Sequence, residues 1–196
     1  MFMFKRAATW LAAAMVAVLA GCAHPIGIGP IDTPVRDEAR LSPKKAAYVM
    51  SDAERSREVI TPGGGGDKVS YFPYRDLEKA LRDALRAVYS DVFVVPSSAD
   101  TAMLQSLGAT VVYRPVITTQ SSSPSLFTWP PTEFTIDLRC EVTDIEGRPL
   151  DQLTIQSRGT AEFAEFKSDF GLAGRRAATR LSEELKQSIL TRPGLR

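Results

Sequence analysis

The sequence has little histidine and little cysteine, and both shortages exclude classes of function. Its 196 residues include one histidine, His24, and two cysteines, Cys22 and Cys140. A Ser-His-Asp or Cys-His nucleophilic site needs a histidine in the folded domain, and a zinc site normally needs several His or Cys ligands. His24 stands in a stretch that we expect to be a solvated linker. We therefore predict no metal, no cofactor and no enzymatic activity that depends on histidine.

An excess of positive charge is also absent. The chain has 24 basic and 23 acidic residues. Residues 1–21 hold two of the basic residues, Lys5 and Arg6, and none of the acidic ones, so the rest of the chain carries a net charge of −1. Proteins that bind nucleic acid usually carry a strong basic excess, and the sequence therefore argues against such a partner. The length that remains is sufficient for one domain with a real core.

The amino-terminal segment is apolar but too short to span a bilayer comfortably. Lys5 and Arg6 precede an almost wholly apolar run from Ala7 to Ala20, whereas a transmembrane helix needs about 20 residues. Small residues follow the run, which is typical of an export signal. We predict that residues 1–21 are a signal peptide.

The site Leu19-Ala20-Gly21-Cys22 resembles the lipobox of bacterial lipoproteins. The resemblance implies cleavage before Cys22 and lipid on that residue, and several acyl chains together give stable anchoring. Ala23 stands where aspartate would retain a lipoprotein at the inner membrane of enteric bacteria, so we expect an outer-membrane protein that faces the periplasm. With Cys22 lipidated, Cys140 has no disulfide partner. Its place on the apolar side of a strand predicts a buried thiol.

Proline and glycine are frequent between Ala23 and Lys45, and no apolar period persists there. This composition predicts that residues 22–45 are a lipidated tether. We expect residues 46–196 to form a single periplasmic domain.

Apolar periodicity within residues 46–196 predicts three helices. A stripe that includes Leu77, Leu81 and Leu85 predicts an amphipathic helix over residues 74–89. A second stripe, from Phe170 to Ile189, predicts a helix over residues 169–190 with Ser168 as its N-cap. A short helix over residues 100–107, closed by Gly108, is also predicted.

Strict alternation predicts the longest strands. Phe134, Ile136, Leu138, Cys140 and Val142 share one face of a strand, and polar residues share the other. The next strand runs from Pro149 to Phe163 with Phe163 facing inward, and Leu150 is out of step, so we expect a bulge near Asp151. Pro115 predicts an edge position or a bulge in the strand over residues 109–119. The pattern predicts an α+β fold, a two-layer α/β sandwich of mostly antiparallel sheet with two amphipathic helices on one face.

Two carboxylates are the remaining candidates for catalysis without histidine. Asp137 and Glu141 lie on the exposed face of one strand, with Arg139 between them. Their Cα atoms are about 13 Å apart at 3.3 Å per residue, beyond the carboxylate separation of about 5 to 9.5 Å in glycosidases. We therefore expect cross-strand pairing rather than catalysis.

The run Gly63–Gly66 raises the question of a phosphate site. A P-loop needs Lys followed by Ser or Thr, with a helix that starts there. Here Asp67 precedes Lys68, Val69 follows it, and a strand comes next. We interpret the run as a connector between two strands, with the alternative of a mobile loop that orders on a partner.

A second loop, SLFTWPP, carries Phe127 and Trp129 in polar surroundings. Aromatic side chains on a loop either cap the core or anchor a partner, and both alternatives stay open. The candidate contact residues are therefore Gly63, Gly64, Gly65, Gly66, Phe127 and Trp129.

The lipobox, the proline-rich segment, the strand in SLGATVVYRPVITT, the two long strands and the closing helix together resemble a group of small outer-membrane lipoproteins. These have a TolB-amino-terminal-like or curli-secretion-lipoprotein-like α/β domain and include transport-auxiliary lipoproteins. The resemblance implies a non-catalytic accessory or scaffold protein in an envelope assembly or transport complex. Its partners would be the membrane, through lipid on Cys22, and other envelope proteins. An alternative function is a ligand-binding module for peptidoglycan or glycolipid.

Overall fold

A computed structural model describes residues 23–124, 129–165 and 169–196. Within these ranges the chain forms eight strands and four α-helices. The strands are β1 (His24–Pro25), β2 (Ser42–Val49), β3 (Val59–Pro62), β4 (Lys68–Tyr71), β5 (Tyr89–Val95), β6 (Val111–Ser122), β7 (Glu133–Thr143) and β8 (Pro149–Thr160). The helices are α1 (Asp52–Arg55), α2 (Pro73–Arg86), α3 (Thr101–Leu107) and α4 (Leu172–Leu190).

The main sheet has five strands in the order β5-β2-β6-β7-β8. β2 is parallel to β5 and β6, whereas β6, β7 and β8 form an antiparallel meander. A smaller sheet contains β1, β4 and β3, in which β3 and β4 are antiparallel and β1 is parallel to β4. The predicted α+β sandwich is confirmed. Each parallel pair is joined by a long crossover that contains at least one helix, since a short turn cannot join parallel strands.

The antiparallel meander follows the predicted alternation. The inward side chains of β7 are buried, from Phe134 to Val142, and the other face of the strand is polar. Val142 pairs with Asp151 and Thr143 pairs with Pro149, so Leu150 is the extra residue of a β-bulge. The predicted bulge is therefore confirmed.

Helices α2 and α4 cover the same face of the main sheet and contact each other. The predicted apolar stripe of α2 is buried, and Pro73 occupies its first turn, where a missing N–H costs nothing. Helix α4 begins at Leu172 with Gly171 at its N-cap, three residues later than predicted. Ser168 lies outside the described residues. Phe170, predicted to be in the stripe, precedes the helix and is 46% exposed.

Helix α3 covers part of the opposite face of the sheet. Its Leu104 packs in a small second core with apolar side chains of β2, β5 and β6. The side chain of Asp100 accepts a hydrogen bond from the N–H of Met103, and Gly108 ends the helix with a φ of 67°. Both ends agree with the predicted range.

Pro115 lies in β6, which is an interior strand of the sheet rather than an edge strand. The pairing of β2 with β6 ends at Tyr113. An N–H group at position 115 would therefore have no partner on β2, and a proline there costs the sheet no hydrogen bond. Two residues later, the N–H of Ile117 donates to the hydroxyl of Tyr74. The proline thus marks the point at which one side of β6 becomes free of β2.

Residues 23–45 are packed on the domain, and the predicted tether is wrong for the part that the structure describes. Ile26 and Ile28 are buried in the main core at 8% and 0% exposure. Residues 26–36, which we call the N-terminal strap, then run over the two large helices. The N–H of Ile31 donates to Thr179 of α4, and Lys79 of α2 donates to Thr33. The folded domain therefore includes the strap, and β2 begins at Ser42 rather than near Ala46.

A glycine in α4 permits the close approach of the N-terminal strap. A Cβ atom on Gly174 would lie 2.5 Å from Cγ2 of Ile28. A larger residue at position 174 would force Ile28 or α4 to shift. The N-terminal strap is thus part of the hydrophobic core, since the side chain of Ile28 packs in the space that the missing side chain of Gly174 leaves on α4.

Candidate partner-binding site

The glycine run forms the turn that connects β3 to β4. The N–H of Gly63 donates to the backbone oxygen of Asp67 at 2.9 Å, and the N–H of Asp67 donates to that of Gly64 at 3.1 Å. Gly65 and Gly66 have φ values of 65° and 87°, which favour glycine. The interpretation of the run as a connector between two strands agrees with this hairpin. β3, the strand before it, was not among the predicted strands.

The hairpin turn packs directly on Trp129. The N–H of Gly64 donates to the backbone oxygen of Trp129 at 2.8 Å. The structure therefore brings together the two predicted contact regions, which are more than 60 residues apart in the sequence. Phe127, the other aromatic candidate in the second loop, lies outside the described residues.

His24 belongs to this site and is not a solvated linker residue. Its ring stacks on the indole of Trp129 with a centroid separation of 4.2 Å and an interplanar angle of 27°. The ring of Phe170 also contacts Trp129, with centroids 4.6 Å apart. We call these three residues, His24, Trp129 and Phe170, the aromatic patch. β1 fixes the position of His24, because that strand pairs in parallel with β4.

The aromatic patch is only partly covered. The His24 side chain is 42% exposed and Phe170 is 46% exposed, while Trp129 packs partly against the main core. Trp129 thus both caps the core and presents part of its ring, so the two alternatives for this loop are not exclusive. Phe163, predicted to face inward, is 67% exposed and lies in the same β8–α4 connection as Phe170.

Buried hydroxyl groups hold the hairpin on β6. Tyr71 of β4 donates to Thr119 at 2.8 Å, and the hydroxyls of Thr61 and Ser121 are 2.5 Å apart. Burial raises the pKa of Tyr71 above its usual value, so it stays a neutral donor. These bonds fix the turn and Trp129 relative to the main sheet, on the side of β6 that β2 leaves free.

The two candidate carboxylates lie on the outer face of the sheet, and each has its own partner. Glu141 forms an ion pair with Arg114 of β6 at 3.3 Å, which confirms the predicted cross-strand pairing. Asp137 accepts a hydrogen bond from Gln156 of β8 at 2.7 Å. The nearby thiol of Cys140 is 2% exposed, as predicted, and burial raises its pKa to about 12.

A polar cluster away from the patch was not predicted from the sequence. Arg55 of α1 donates two hydrogen bonds of 2.9 Å to Glu78 of α2, and Tyr48 of β2 donates a third of 3.0 Å. The bonds from Arg55 lower the pKa of Glu78. A capping box between Ser51 and Glu54 begins α1, and this S-x-x-E pattern is the sequence signal that could have revealed the helix.

Two further findings concern metals and membrane spans. In residues 23–124, 129–165 and 169–196, no group of three or more His, Cys, Asp or Glu side chains is placed to hold a metal ion. No helix in the same ranges is long and apolar enough to cross a bilayer. The predicted lipidation site, Cys22, lies outside these ranges.

No family model and no curated protein matches the sequence. Among solved structures, protein XCC0632 from Xanthomonas campestris, of the family model DUF330, is similar with a TM-score of 0.47 and 11% identity over 86% of this chain and 93% of that one. The PelC dodecamer from Paraburkholderia phytofirmans is similar with a TM-score of 0.45 and 13% identity over 84% of this chain and 94% of that one. These values assign neither a family nor a function to this chain.

Proposed function

We propose that this protein is a lipid-anchored, non-catalytic accessory protein of the bacterial cell envelope. The observation that carries the proposal is the sequence Leu19-Ala20-Gly21-Cys22, which follows a short apolar run and two positive charges. Lipid on Cys22 would hold the domain at the membrane, and the resemblance to small envelope lipoproteins supports a scaffold or accessory role.

The chemistry of the folded domain supports an accessory role over a catalytic one. Asp137 and Glu141 are engaged by separate neighbours. The Cys140 thiol is buried and has a raised pKa, which disfavours the reactive thiolate. The partly exposed aromatic patch contains Trp129, a residue type that is enriched in the hot spots of protein interfaces.

The anchor can be tested on the full-length protein. Mass spectrometry of the amino-terminal peptide, after expression in a bacterial host, is expected to show cleavage before Cys22 and the added mass of a lipid. In Cys22→Ser, we expect no lipid and an uncleaved chain. A wild-type protein with an unmodified cysteine would overturn the proposal.

The proposed outer-membrane location has its own test. Density-gradient fractionation of envelopes is expected to place the wild-type protein with outer membranes. In an enteric host, Ala23→Asp should shift it to inner membranes, while Ala23→Ser should leave its distribution unchanged. Co-sedimentation of the wild type with inner membranes would refute this part of the proposal.

The partner can be sought by crosslinking in intact membranes, with the lipidated protein as bait. We expect other envelope proteins to be recovered with the wild type and lost with a version in which a cleavable, non-lipid signal replaces residues 1–22. A soluble version that retains full function would count against membrane-tethered docking.

A concave surface on the hairpin favours a second candidate function, ligand binding. Residues 60–63 and 66–68 line a concavity of about 500 Å³ with both a carboxylate and an amine, from Asp67 and Lys68. Peptidoglycan and glycolipid fragments carry complementary charged and polar groups. A thermal shift on addition of cell-wall fragments or lipopolysaccharide would favour this function, and its loss in Lys68→Ala would locate the site.

A further inference from the structure

The aromatic patch includes a residue that closely follows the predicted lipidation site in the sequence. His24 is two residues after Cys22, and its ring stacks on Trp129. Because consecutive Cα atoms are about 3.8 Å apart, the Cα atoms of Cys22 and His24 are at most about 8 Å apart. Any lipid on Cys22 therefore enters the bilayer close to this patch.

The N-terminal strap removes the alternative of a long flexible spacer. Its backbone and side chains are bound to both large helices, at Ile31 and Thr33, and Ile28 is fully buried. A free tether would leave the orientation of the domain on the membrane undefined. A folded strap fixes which end of the domain is at the anchor.

Several loops meet at the end of the main sheet that lies beside the aromatic patch. The hairpin turn is bonded to Trp129 through Gly64. The segment after β8 is bonded to the segment before β7, since the N–H of Ala161 donates to the backbone oxygen of Thr132 at 2.9 Å. The opposite end of the sheet carries the β7–β8 turn at Asp144–Arg148. The two ends of β7, Glu133 and Thr143, are about 33 Å apart at about 3.3 Å per residue.

The side chains exposed at the anchor end are suited to a lipid surface. Phe163 and Phe170 are the exposed large aromatic side chains in the part of the chain that the structure describes, and both lie in the β8–α4 connection. Ile60 of the hairpin adds an exposed aliphatic side chain. Tryptophan and phenylalanine are favoured at membrane interfaces, because an apolar ring enters the acyl boundary while polar groups stay in water.

We propose that the aromatic patch, together with Phe163, rests on the bilayer that holds the lipid of Cys22. This inference rests on the proposed lipid anchor and adds an orientation to it. The hairpin turn, Phe163 and Phe170 face the membrane, and the β7–β8 turn points away from it. A protein partner would then meet the outer face of the main sheet or its far end.

Trp129 supplies a native probe for the test. The chain has two tryptophans, Trp10 and Trp129, and cleavage before Cys22 removes Trp10. The lipidated protein would be added to vesicles of phosphatidylcholine and phosphatidylglycerol, with or without bromine on the upper acyl chain. We expect bromolipid to quench Trp129 emission, with a shift to shorter wavelength on binding. Unquenched emission from protein that floats with the vesicles would overturn the orientation.

Control variants separate the orientation from the anchor. In Trp129→Phe combined with Glu146→Trp, the only tryptophan lies in the β7–β8 turn, and we expect no quenching. Phe163→Ser should reduce the quenching of Trp129, whereas Val116→Ser, on the outer sheet face, should not. Failure of the wild type to float would refute the proposed anchor. Flotation with equal quenching at positions 129 and 146 would refute only the orientation.

Discussion

A Cβ atom on Gly63 would lie 2.2 Å from the backbone oxygen of Trp129. This contact joins the hairpin turn to the loop before β7, so that each holds the other in place. The atoms that would meet the added Cβ belong to the backbone, so no flexible side chain could move aside to make room for it.

We predict that Gly63→Ala destabilises the protein by about 1–3 kcal/mol, because the added methyl group must displace one of the two segments. Urea unfolding monitored by circular dichroism would measure the change. Gly194→Ala is the control, since a Cβ atom there meets open space, and it should change the free energy of unfolding by less than about 0.5 kcal/mol. Equal stability of the two variants would contradict the contact.

Substitution of Glu78 tests the polar cluster between α1 and α2. Glu78→Gln keeps the shape of the side chain but removes the charge that Arg55 and Tyr48 bind, and we expect a loss of about 1–3 kcal/mol at neutral pH. The Glu78 side chain is 20% exposed, so solvent screening is limited. Glu38→Gln is the matched control, because Glu38 pairs with Arg36 but is 74% exposed, and it should have no measurable effect.

The effect of Glu78→Gln should depend on pH. Arg55 lowers the pKa of Glu78 below its usual value of 4.5 in the folded protein. The charge therefore contributes its full stabilisation above pH 4.5, and the contribution is lost as pH falls through the lower folded-state pKa. Unfolding curves from pH 7 to pH 3 should show the wild type and the variant converging. A constant difference would argue against an ionised Glu78 as the source.

Leu195 tests whether the carboxyl-terminal residues complete the core. It is 1% exposed, and its backbone oxygen accepts a hydrogen bond of 2.8 Å from Tyr89. Leu195→Ala should cost about 2–5 kcal/mol, as for other buried leucines. Leu150→Ala is the same substitution at the exposed bulge and should cost far less. A near-neutral Leu195→Ala would mean that the terminus is not packed in solution.

Cys140 should be inert until the protein unfolds. Burial raises the pKa of its thiol to about 12, so almost no thiolate exists at pH 8, and access is also blocked. N-ethylmaleimide followed by mass spectrometry of the Cys140 peptide should show no label in native buffer and complete label in urea. Rapid labelling of the native protein would contradict the burial.

The sequence was most informative where one local pattern determined one element. The short helix α3 has both of its end signals, Asp100 and Gly108, and the structure uses both. The bulge at Leu150 follows from a single break in alternation. Such features depend on neighbours in the chain, so local rules are sufficient to find them.

Composition was misleading in the N-terminal strap. Proline and glycine suggested a tether, yet Ile26 and Ile28 alternate with glycines, and this short period of two was the available signal. The backbone of this segment packs closely on the rest of the domain: a Cβ atom on Gly171 would clash with the backbone oxygen of Gly27. Composition alone cannot distinguish a glycine that gives flexibility from one that permits packing.

The site was only half predictable. The hairpin turn and Trp129 were each identified as a candidate contact, but nothing local indicates that they touch. His24 was assigned to solvent because its partner, Trp129, is 105 residues away in the sequence. Contacts of this kind are set by the order of strands in the sheets, which short-range patterns do not encode.

The packing of Ile28 on Gly174 also constrains the order in which the molecule folds. Synthesis produces the amino-terminal residues first, while α4, which the N-terminal strap must meet, is among the last elements to be made. Ile28, near the start of the folded domain, therefore cannot meet this neighbour until nearly the whole chain is present, and the loop that closes spans 146 residues. Under the export and lipid anchor that we propose, folding of this domain would be complete only after translocation has ended, with its start already held at the membrane surface.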